Sequence, residues 1–348
     1  MIAKTFLGID IGTSSIKVVE LSKFGKRIKL ENYGELRAPA FYEKPFRTFE
    51  KTTLLLSTGD IARAIRGILE EAKIKTRKVI FSVPDFSSFF TWFDLPPMTK
   101  EEIPDAVRYE ARQHTPLPLS EVTLDWQIIE GRISERERTK LKILLVVVPN
   151  EIINQYRQIA ELAQLKLQAL EAEVFAFSRS SIGEEKKATI LIDIGARSTT
   201  CSIIDKGVLK MSYSFDISGN ELTDRVSKSL SVDYLKAEHL KKKHGFQSSE
   251  KEIGQILLPI IDLILVEIEK VSQNFYRLES KEIQKVILGG GTALLPGLKE
   301  YFAKELKKEV VIANPFSEIF YPPILENTLK EMGPSYAIAV GAALHGLE

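Results

Sequence analysis

The sequence predicts a two-lobed α/β protein, and a repeated motif is the main reason. Residues 8–21, GIDIGTSSIKVVEL, and residues 191–204, LIDIGARSTTCSII, share one design: an apolar run, Asp-Ile-Gly, a few small or hydroxyl residues, and a second β-branched run. This pattern is typical of a β-hairpin rather than of a strand that feeds a helix. Predicted strands and helices alternate along the chain, so each hairpin is expected to begin one lobe.

The tips of both hairpins suit the binding of a nucleotide phosphate. Gly12 and Gly195 lack a Cβ, and their backbone N–H groups are expected to be free to face a phosphate. Asp10 and Asp193 would be repelled by that phosphate, so a divalent cation between them and the nucleotide is their natural partner. We therefore expect two lobes that grip one nucleotide from opposite sides.

Composition excludes several other classes of protein. The 348 residues can build two or more compact units with sizeable cores, and 48 Lys+Arg against 47 Asp+Glu leave no basic field for nucleic acid. The single cysteine, Cys201, is expected to be a small core residue in a reducing compartment, and it excludes a disulfide framework. The histidines show no metal-ligand spacing, which argues against a zinc site. They are His114, His239, His244 and His345.

No targeting or membrane-spanning segment is predicted. The first residues, MIAKTFLGID, run directly into a strand and have no long apolar stretch. Residues 256–268, ILLPIIDLILVEI, are too short to span a bilayer and include Pro259, Asp262 and Glu267, so a core helix is expected. We expect a soluble protein whose membrane role comes through a partner.

The first part of the chain reads as a meander, a helix and a buried strand. Alternation of apolar and polar residues around short turn signals predicts the meander, and Thr58-Gly59-Asp60 is typical of a helix start. The predicted elements are strands at 5–12, 15–22 and 27–38, a loop at 39–58, a helix from Thr58, and a strand at 78–83.

Residues 86–171 are expected to form a unit of their own. Thr115-Pro116-Leu117-Pro118 disfavours helix and leaves an extended arm at 113–121. The charged turn at 131–140 is either a solvated hairpin tip or a basic contact surface. The other predicted elements are strands at 88–94, 122–130 and 141–148 and helices at 100–113 and 150–165.

The rest of the chain contains the second hairpin between helices. Gly245 is expected to end a charged helix, LKAEHLKKKH, as its C-cap. The predicted elements are a short helix at 172–182, the hairpin and its continuing strand at 188–215, helices across 219–281 including a long one at 250–279, a strand and glycine turn leading into a helix at 285–297, and a small-residue helix at 334–346.

Other phosphate-binding motifs are absent from the sequence. No glycine-rich loop ends in Gly-Lys-Ser/Thr, and Gly289-Gly290-Gly291 lacks the later glycine of the dinucleotide fingerprint because Leu294 stands there. Alone, GGGT could be only a tight turn between a strand and a helix. Two Asp-Ile-Gly hairpins followed by strand-GGGT-helix form a much more specific pattern.

This pattern resembles the actin-like ATPase superfamily. Its signature segments are similar to 8–21 and 191–204 for the two phosphate loops, EVFAFSRSS and YAIAVGAALHG for the two connecting helices, and VILGGGTALLPG for adenosine. Residues 95–127 resemble the small extra subdomain of the PilM family of type IV pilus assembly proteins and of the FtsA cell-division proteins. The resemblance implies an actin-like, duplicated ribonuclease H-like two-lobed fold with that extra subdomain.

The resemblance also implies four structural parts. They are a first core lobe from 1–85, 172–190 and 333–348, an inserted small subdomain at 86–171, a second core lobe from 191–218 and 265–332, and a small helical subdomain at 219–264.

Site residues around the phosphates follow from the same resemblance. Asp10 matches the aspartate that holds Mg²⁺ through water, and Asp193 is its counterpart as a catalytic and metal residue. Lys17 matches a phosphate-contacting lysine, with a solvated charge on a hairpin strand as the alternative. The turns over the phosphates are Gly12, Thr13, Ser14 and Ser15 on one side and Gly195, Ala196 and Arg197 on the other.

Further site residues match the catalytic and adenosine positions. Glu173 matches a residue that orients the attacking water, with Glu171 as a competing match and a structural role open for either. Glu238 and Lys241 share a helix face and resemble a pair that reaches the ribose, a solvated ion pair being the alternative. The residues expected near the nucleoside are Gly219, Gly289, Gly290, Gly291 and Thr292.

The implied ligands are ATP and Mg²⁺, and the implied chemistry is slow transfer of a phosphoryl group to water, with the nucleotide state setting lobe closure. The implied role is cytoplasmic, at the inner face of the inner membrane. The protein would dock the N-terminal tail of a PilN-like membrane protein beside the extra subdomain, with pilus platform and motor proteins behind it, as a monomer or weak dimer.

Two alternatives are weighed against this role. An FtsA-like filament protein needs a C-terminal amphipathic anchor after the last connecting helix, and Leu347-Glu348 follow that helix at once. A small-molecule kinase needs a catalytic aspartate on a substrate domain, and we find no convincing candidate.

Overall fold

The computed structural model describes residues 4–37, 57–131, 139–183, 185–246 and 251–348. The loop expected at 39–58 lies almost entirely outside the described residues, as does most of the charged turn at 131–140.

The strands of the described residues form three sheets. In chain order they are β1 (Lys4–Ile11), β2 (Ser15–Phe24), β3 (Arg27–Arg37), β4 (Lys78–Val83), β5 (Phe89–Leu95), β6 (Val122–Glu130), β7 (Leu141–Pro149), β8 (Lys166–Ala172), β9 (Thr189–Ile194), β10 (Thr199–Asp205), β11 (Val208–Phe215), β12 (Lys285–Gly289) and β13 (Glu309–Ile312).

The helices cover these sheets and connect them. They are α1 (Thr58–Glu71), α2 (Ile103–His114), α3 (Asn150–Leu162), α4 (Glu173–Ser181), α5 (Gly219–Leu230), α6 (Tyr234–His244), α7 (Lys251–Glu279), α8 (Leu298–Leu306) and α9 (Glu326–Leu347). Within the described ranges, no helix is both long and apolar enough to cross a membrane.

Two of the sheets repeat one topology. The first has the order β3-β2-β1-β4-β8 and the second the order β11-β10-β9-β12-β13. In each, three antiparallel strands from one stretch of chain are extended by two parallel strands, β4 and β8 or β12 and β13. The predicted meander and the predicted second hairpin are therefore confirmed as halves of a duplicated α/β fold.

Helices α4 and α9 lie where the two sheets approach each other. Gly8 of β1 and Gly341 of α9 mark the tightest contacts, because an added Cβ would lie 2.0 Å from the Ala339 oxygen and 1.8 Å from the Ala176 oxygen, respectively. The shared core beneath includes Leu191 from the second sheet. Helix α9 begins at Glu326, earlier than the predicted start at residue 334, because Pro334 lies inside the helix instead of at its first turn.

The third sheet, β5-β7-β6, builds a separate small core with α2. The structure differs here from the predicted unit at 86–171. Strand β8 pairs with β4 in the first sheet, and α3 packs Ile152, Tyr156 and Ile159 into the core of the first lobe. An amphipathic helix shows only that one face is buried, and its sequence does not say against which core. We place the end of the inserted subdomain near residue 149, and the four-part division stays a proposal.

Helix α7 is a core helix, as predicted for its apolar stretch. Leu257, Ile261, Ile264 and Ile268 are buried against the second sheet. Cys201 is also buried there, so its thiol packs as a small apolar group.

Candidate functional site

The tips of the two Asp-Ile-Gly hairpins open onto one cleft of about 750 Å³. Gly12 lies on its first side and Gly195 on the opposite side. The β1–β2 hairpin belongs to the first sheet and the β9–β10 hairpin to the second, so the cleft runs between the two lobes. The structure thus brings together the two motifs that the sequence singled out.

Nearly all of the site residues named from the sequence line this cleft. They are Asp10, Gly12, Thr13, Ser14, Ser15, Lys17, Glu173, Asp193, Gly195, Ala196, Arg197, Gly219, Glu238, Lys241, Gly290, Gly291 and Thr292. Gly289 lies behind the cleft wall instead. An added Cβ there would lie 2.4 Å from the Phe177 ring, so this glycine makes room for an aromatic side chain.

The prediction that the Gly12 and Gly195 N–H groups are free is wrong. Gly12 N–H donates to the Ser15 oxygen at 3.0 Å, and Gly195 N–H donates to the Ser198 oxygen at the same distance. A tight hairpin tip closes through its own backbone hydrogen bond, and these amides are used for it. Any phosphate donor must come from elsewhere in the tips.

In the first hairpin, Asp10 is held by two side chains. Lys17 stands opposite it in the register, with Nζ 3.6 Å from Oδ2, and the Ser82 hydroxyl donates to Oδ1 at 3.1 Å. Lys17 is only 9% exposed, so the alternative of a solvated charge is wrong. The side chain is a buried cation at the edge of the cleft.

In the second hairpin, Asp193 has Thr200 opposite it in place of a lysine. Burial raises the pKa of Asp193 to about 6; the charge of Asp10 adds to this rise, and Lys17 opposes it. Gly290 packs directly against this carboxylate. An added Cβ would lie 2.5 Å from Oδ1, and the backbone φ of +83° also favours glycine.

Glu173 lies at the first position of α4 and faces the cleft. Its Oε2 accepts a hydrogen bond from the Asp85 N–H at 3.2 Å. Burial raises the pKa of Glu173 well above its usual range, and the charges of Asp10, Asp85 and Asp193 add to the effect. A carboxyl group with such a raised pKa in a cleft is typical of a functional position.

The competing candidate, Glu171, does not line the cleft. Its two oxygens accept hydrogen bonds from Arg179, each at 2.7 Å, and His345 Nδ1 lies 3.3 Å from Oε1. This carboxylate is neutralised between α4 and α9. Of the two glutamates, only Glu173 lines the cleft.

Asp85 was missed at the sequence level. It is buried at the start of a 3₁₀ turn, Asp85–Ser87, and its Oδ1 accepts a hydrogen bond from the Val174 N–H at 3.2 Å. Burial raises its pKa to about 8; the Val174 N–H opposes this, and the charge of Asp193 adds to it. The available signal was its place two residues after a buried parallel strand, since the carboxyl ends of such strands collect functional groups.

Arg197 also has a partner that the sequence did not predict. Its guanidinium lies 4.6 Å from the centre of the Phe86 ring, a cation–π distance, and both residues line the cleft. Phe86 follows β4 of the first lobe and Arg197 belongs to the second hairpin, so this contact crosses the cleft.

Glu238 and Lys241 of α6 form a partly buried ion pair rather than a solvated one. Lys241 is 4% exposed, and its Nζ lies 2.6 Å from Glu238 Oε2 while donating to the Gly219 oxygen at 2.9 Å. The Thr223 hydroxyl donates to the same Glu238 oxygen. Although burial opposes ionisation, Lys241 and these hydrogen bonds hold the pKa of Glu238 at about 2. The lysine therefore holds Glu238 and the start of α5 in place.

The residues present fit a magnesium ion shared with a nucleotide. In the described part of the chain, no group of three or more His, Cys, Asp or Glu could hold a metal ion by itself. Mg²⁺ binds instead through one or two carboxylates, water and phosphate oxygens. Asp10 and Asp193 are two carboxylates of this kind at the cleft, and Asp193 has Thr200 rather than a cation opposite it.

The fold and the cleft define the class of the protein as actin-like. A solved structure of MreB 5 of Spiroplasma citri bound to AMPPNP superposes with a TM-score of 0.55 at 14% identity, covering 98% of this chain and 95% of that one. The structure of a PilM-PilN type IV pilus biogenesis complex superposes with a TM-score of 0.84 at 24% identity, covering 98% of both chains.

The sequence comparison identifies the family within that class. The family described as "Type IV pilus assembly protein PilM" matches residues 8–347. The chain belongs to this family. It is also similar to the cell division protein FtsA of Enterococcus faecalis, with 24% identity over 94% of this chain and 83% of the relative.

Proposed function

We propose that this protein binds Mg-ATP between its two lobes and serves as a nucleotide-dependent platform in type IV pilus assembly. One observation carries the nucleotide part: both hairpin tips border a single cleft of about 750 Å³, and Asp10, Glu173 and Asp193 line it together. An anionic nucleotide with its divalent cation suits such a site better than an anion alone.

Within this proposal, each side of the cleft has a separate task. Thr13 and Ser14 at one tip and Ala196 at the other face the phosphates, with Lys17 as the nearest buried cation. Mg²⁺, when bound between Asp10 and Asp193, supplies charge neutralisation. Glu238, fixed by Lys241, reaches the ribose, and Gly290 to Thr292 border the base, since missing side chains let a flat ring approach the backbone.

Hydrolysis is proposed as slow and as a means to set lobe closure. Glu173 is the group that orients the attacking water, since it lies in the cleft beside both aspartates. Positioning of this kind is most of what phosphoryl transfer asks of a protein. The Arg197–Phe86 contact crosses the cleft and would change as the lobes open or close.

The proposed partner is the N-terminal tail of a PilN-like inner-membrane protein, bound at the cytoplasmic face of that membrane. Two observations support it: the family itself, and a structural relative that was solved as a complex of PilM with PilN. The three-stranded sheet with α2 is the proposed docking element. The proline-flanked arm that follows α2 belongs to neither helix nor strand over 115–120 and is a suitable groove wall.

Calorimetry with Mg-ATP tests the nucleotide site. We expect Asp10→Ala to abolish or strongly weaken binding, while Asp94→Ala, at an exposed carboxylate paired with Lys140, serves as the matched control and leaves binding unchanged. Equal affinity of the wild type and Asp10→Ala would overturn the assignment of the site.

Titration with a synthetic N-terminal peptide of a PilN-like protein tests the partner. Binding with and without Mg-ATP is compared, and the proposal expects the nucleotide to change the affinity. Absence of binding at millimolar peptide in both states would reject the docking role and leave the nucleotide site standing.

A further inference from the structure

The turn Asp85–Ser87 connects the last residue of β4 with the inserted sheet and touches the nucleotide cleft from behind. Its backbone is fixed by local bonds, since the Ser87 hydroxyl donates to the Pro84 oxygen at 2.7 Å and Ser88 donates to the same oxygen at 3.2 Å. Asp85 is 5% exposed. A rigid, buried acidic residue at this junction needs a structural or functional reason.

Asp85 and the start of α4 exchange two hydrogen bonds. The Asp85 carboxylate accepts from the Val174 N–H, and the Glu173 carboxylate accepts from the Asp85 N–H, both at 3.2 Å. Strands β4 and β8 are parallel with Val83 opposite Ala172, so their carboxyl ends bring the two acidic residues side by side. Both bonds join residues from distant parts of the chain.

These bonds solve a problem at the N-terminus of α4. The first N–H groups of a helix have no partner inside it, and Ala172, which precedes the helix, has no side chain that can accept from them. Asp85 supplies the missing acceptor from another part of the chain. The second bond fixes the direction of Glu173, because one oxygen of that side chain accepts from the backbone N–H of Asp85. The Asp85 carboxylate keeps this N–H in place by tying the turn to the start of α4.

We propose that Asp85 is a positioning residue that holds Glu173 in the orientation needed to align water for hydrolysis; this rests on the proposed function. Phe86, the next residue, stacks on Arg197 of the other lobe. The turn is therefore in contact with both sides of the cleft, and its geometry depends on how the lobes are arranged.

Single-turnover hydrolysis of Mg-ATP by the full chain tests the role. Removing the acceptor in Asp85→Ala should lower the rate about tenfold or more, since small misplacements of a reacting group cost this much, while the dissociation constant of Mg-ATP stays unchanged. Asp85→Asn keeps an oxygen that can accept from Val174 and should retain most of the rate. In a Glu173→Gln background, Asp85→Ala should cause no further loss.

Any of four results would overturn the proposal. They are an Asp85→Asn rate as low as that of Asp85→Ala, a full additional loss in the Glu173→Gln background, or an effect on nucleotide affinity alone. A wild type that binds Mg-ATP without hydrolysing it would also overturn it.

Amide hydrogen exchange provides a second measurement that needs no nucleotide. The Val174 amide should exchange faster in Asp85→Ala and the Asp85 amide faster in Glu173→Ala, while the Ile192 amide in the core serves as control. If the wild type binds no Mg-ATP, the proposed function fails, and exchange still decides whether Asp85 braces Glu173. Unchanged exchange rates of these two amides in the variants would show that the two hydrogen bonds do not hold Asp85 and Glu173 together.

Discussion

The two Asp-Ile-Gly hairpins have the same backbone and different charge balance. Each tip closes with one glycine N–H bond of 3.0 Å, and each aspartate stands at the same place before its tip. The residue opposite the aspartate is Lys17 in the first hairpin and Thr200 in the second. Asp10 is thus neutralised by this chain, whereas Asp193 keeps a charge that a bound cation can use. The two halves therefore share the turn, and they differ in whether a lysine stands opposite the aspartate.

The largest expected difference lies at the residue opposite each aspartate. Lys17→Met leaves Asp10 buried without its cation and should lower the free energy of unfolding by about 3 kcal/mol. Thr200→Val, at the equivalent position, removes only a hydroxyl bonded to Ser214 at 2.8 Å and should cost about 1 kcal/mol. Urea unfolding without nucleotide measures both. Equal losses would show that the two hairpins are electrostatically alike.

Alanine substitutions of the glycines test whether the two tips share one backbone geometry. Gly12→Ala and Gly195→Ala each place a Cβ 3.1 Å from the carbonyl oxygen that closes the tip. The free energy of unfolding of each variant should therefore fall by about 1 kcal/mol. Gly290→Ala should lower the free energy of unfolding by about 2–3 kcal/mol, because the added Cβ meets Asp193 and the backbone φ at this position is positive. Thermal and urea unfolding give the comparison, and a clear difference between the two tips would break the equivalence.

Neutralising each aspartate should change stability in opposite directions without nucleotide. Asp10→Asn leaves Lys17 buried without a carboxylate and should cost about 2 kcal/mol. Asp193→Asn removes an incompletely balanced buried charge and should stabilise the protein by about 1 kcal/mol. Both should lose the stabilisation that Mg-ATP gives the wild type. The same sign of change in both variants would contradict the comparison.

The smallest effect is expected at Glu171. This first-lobe carboxylate lies outside the cleft, and its charge is balanced by Arg179 and His345. Its proximity raises the pKa of His345, which burial opposes, so the folded state favours the protonated imidazole. This contribution is present below the ordinary histidine value and is lost as pH rises through the raised pKa. Since the imidazole is partly exposed, wild type should lose about 0.5 kcal/mol more than His345→Gln between about pH 6 and pH 8. Parallel pH profiles of the unfolding midpoint would rule this out.

The sequence predicted the elements around the cleft better than their contacts. Alternation of apolar and polar residues predicted β1 to β3, and two apolar runs around Asp-Ile-Gly predicted the second hairpin, because both signals lie within a short stretch of sequence. The assignment of α3 to the inserted unit failed for the opposite reason: its apolar stripe fits any core of the right shape. Glu173 and Glu171 could not be separated by sequence either, since only the position of Arg179 shows which carboxylate is already neutralised.

What the sequence alone determined is the pair of Asp-Ile-Gly hairpins and the order of segments that places this chain in its family. Those features are local, and a short stretch of residues specifies them through strand alternation and turn chemistry. Only the tertiary structure decided that the tip glycine amides are occupied, that Lys241 is buried, and that Asp85 is hydrogen-bonded to the start of α4. Burial and charge balance come from residues distant in the chain, and their effect on a carboxylate appears only when the fold brings them together.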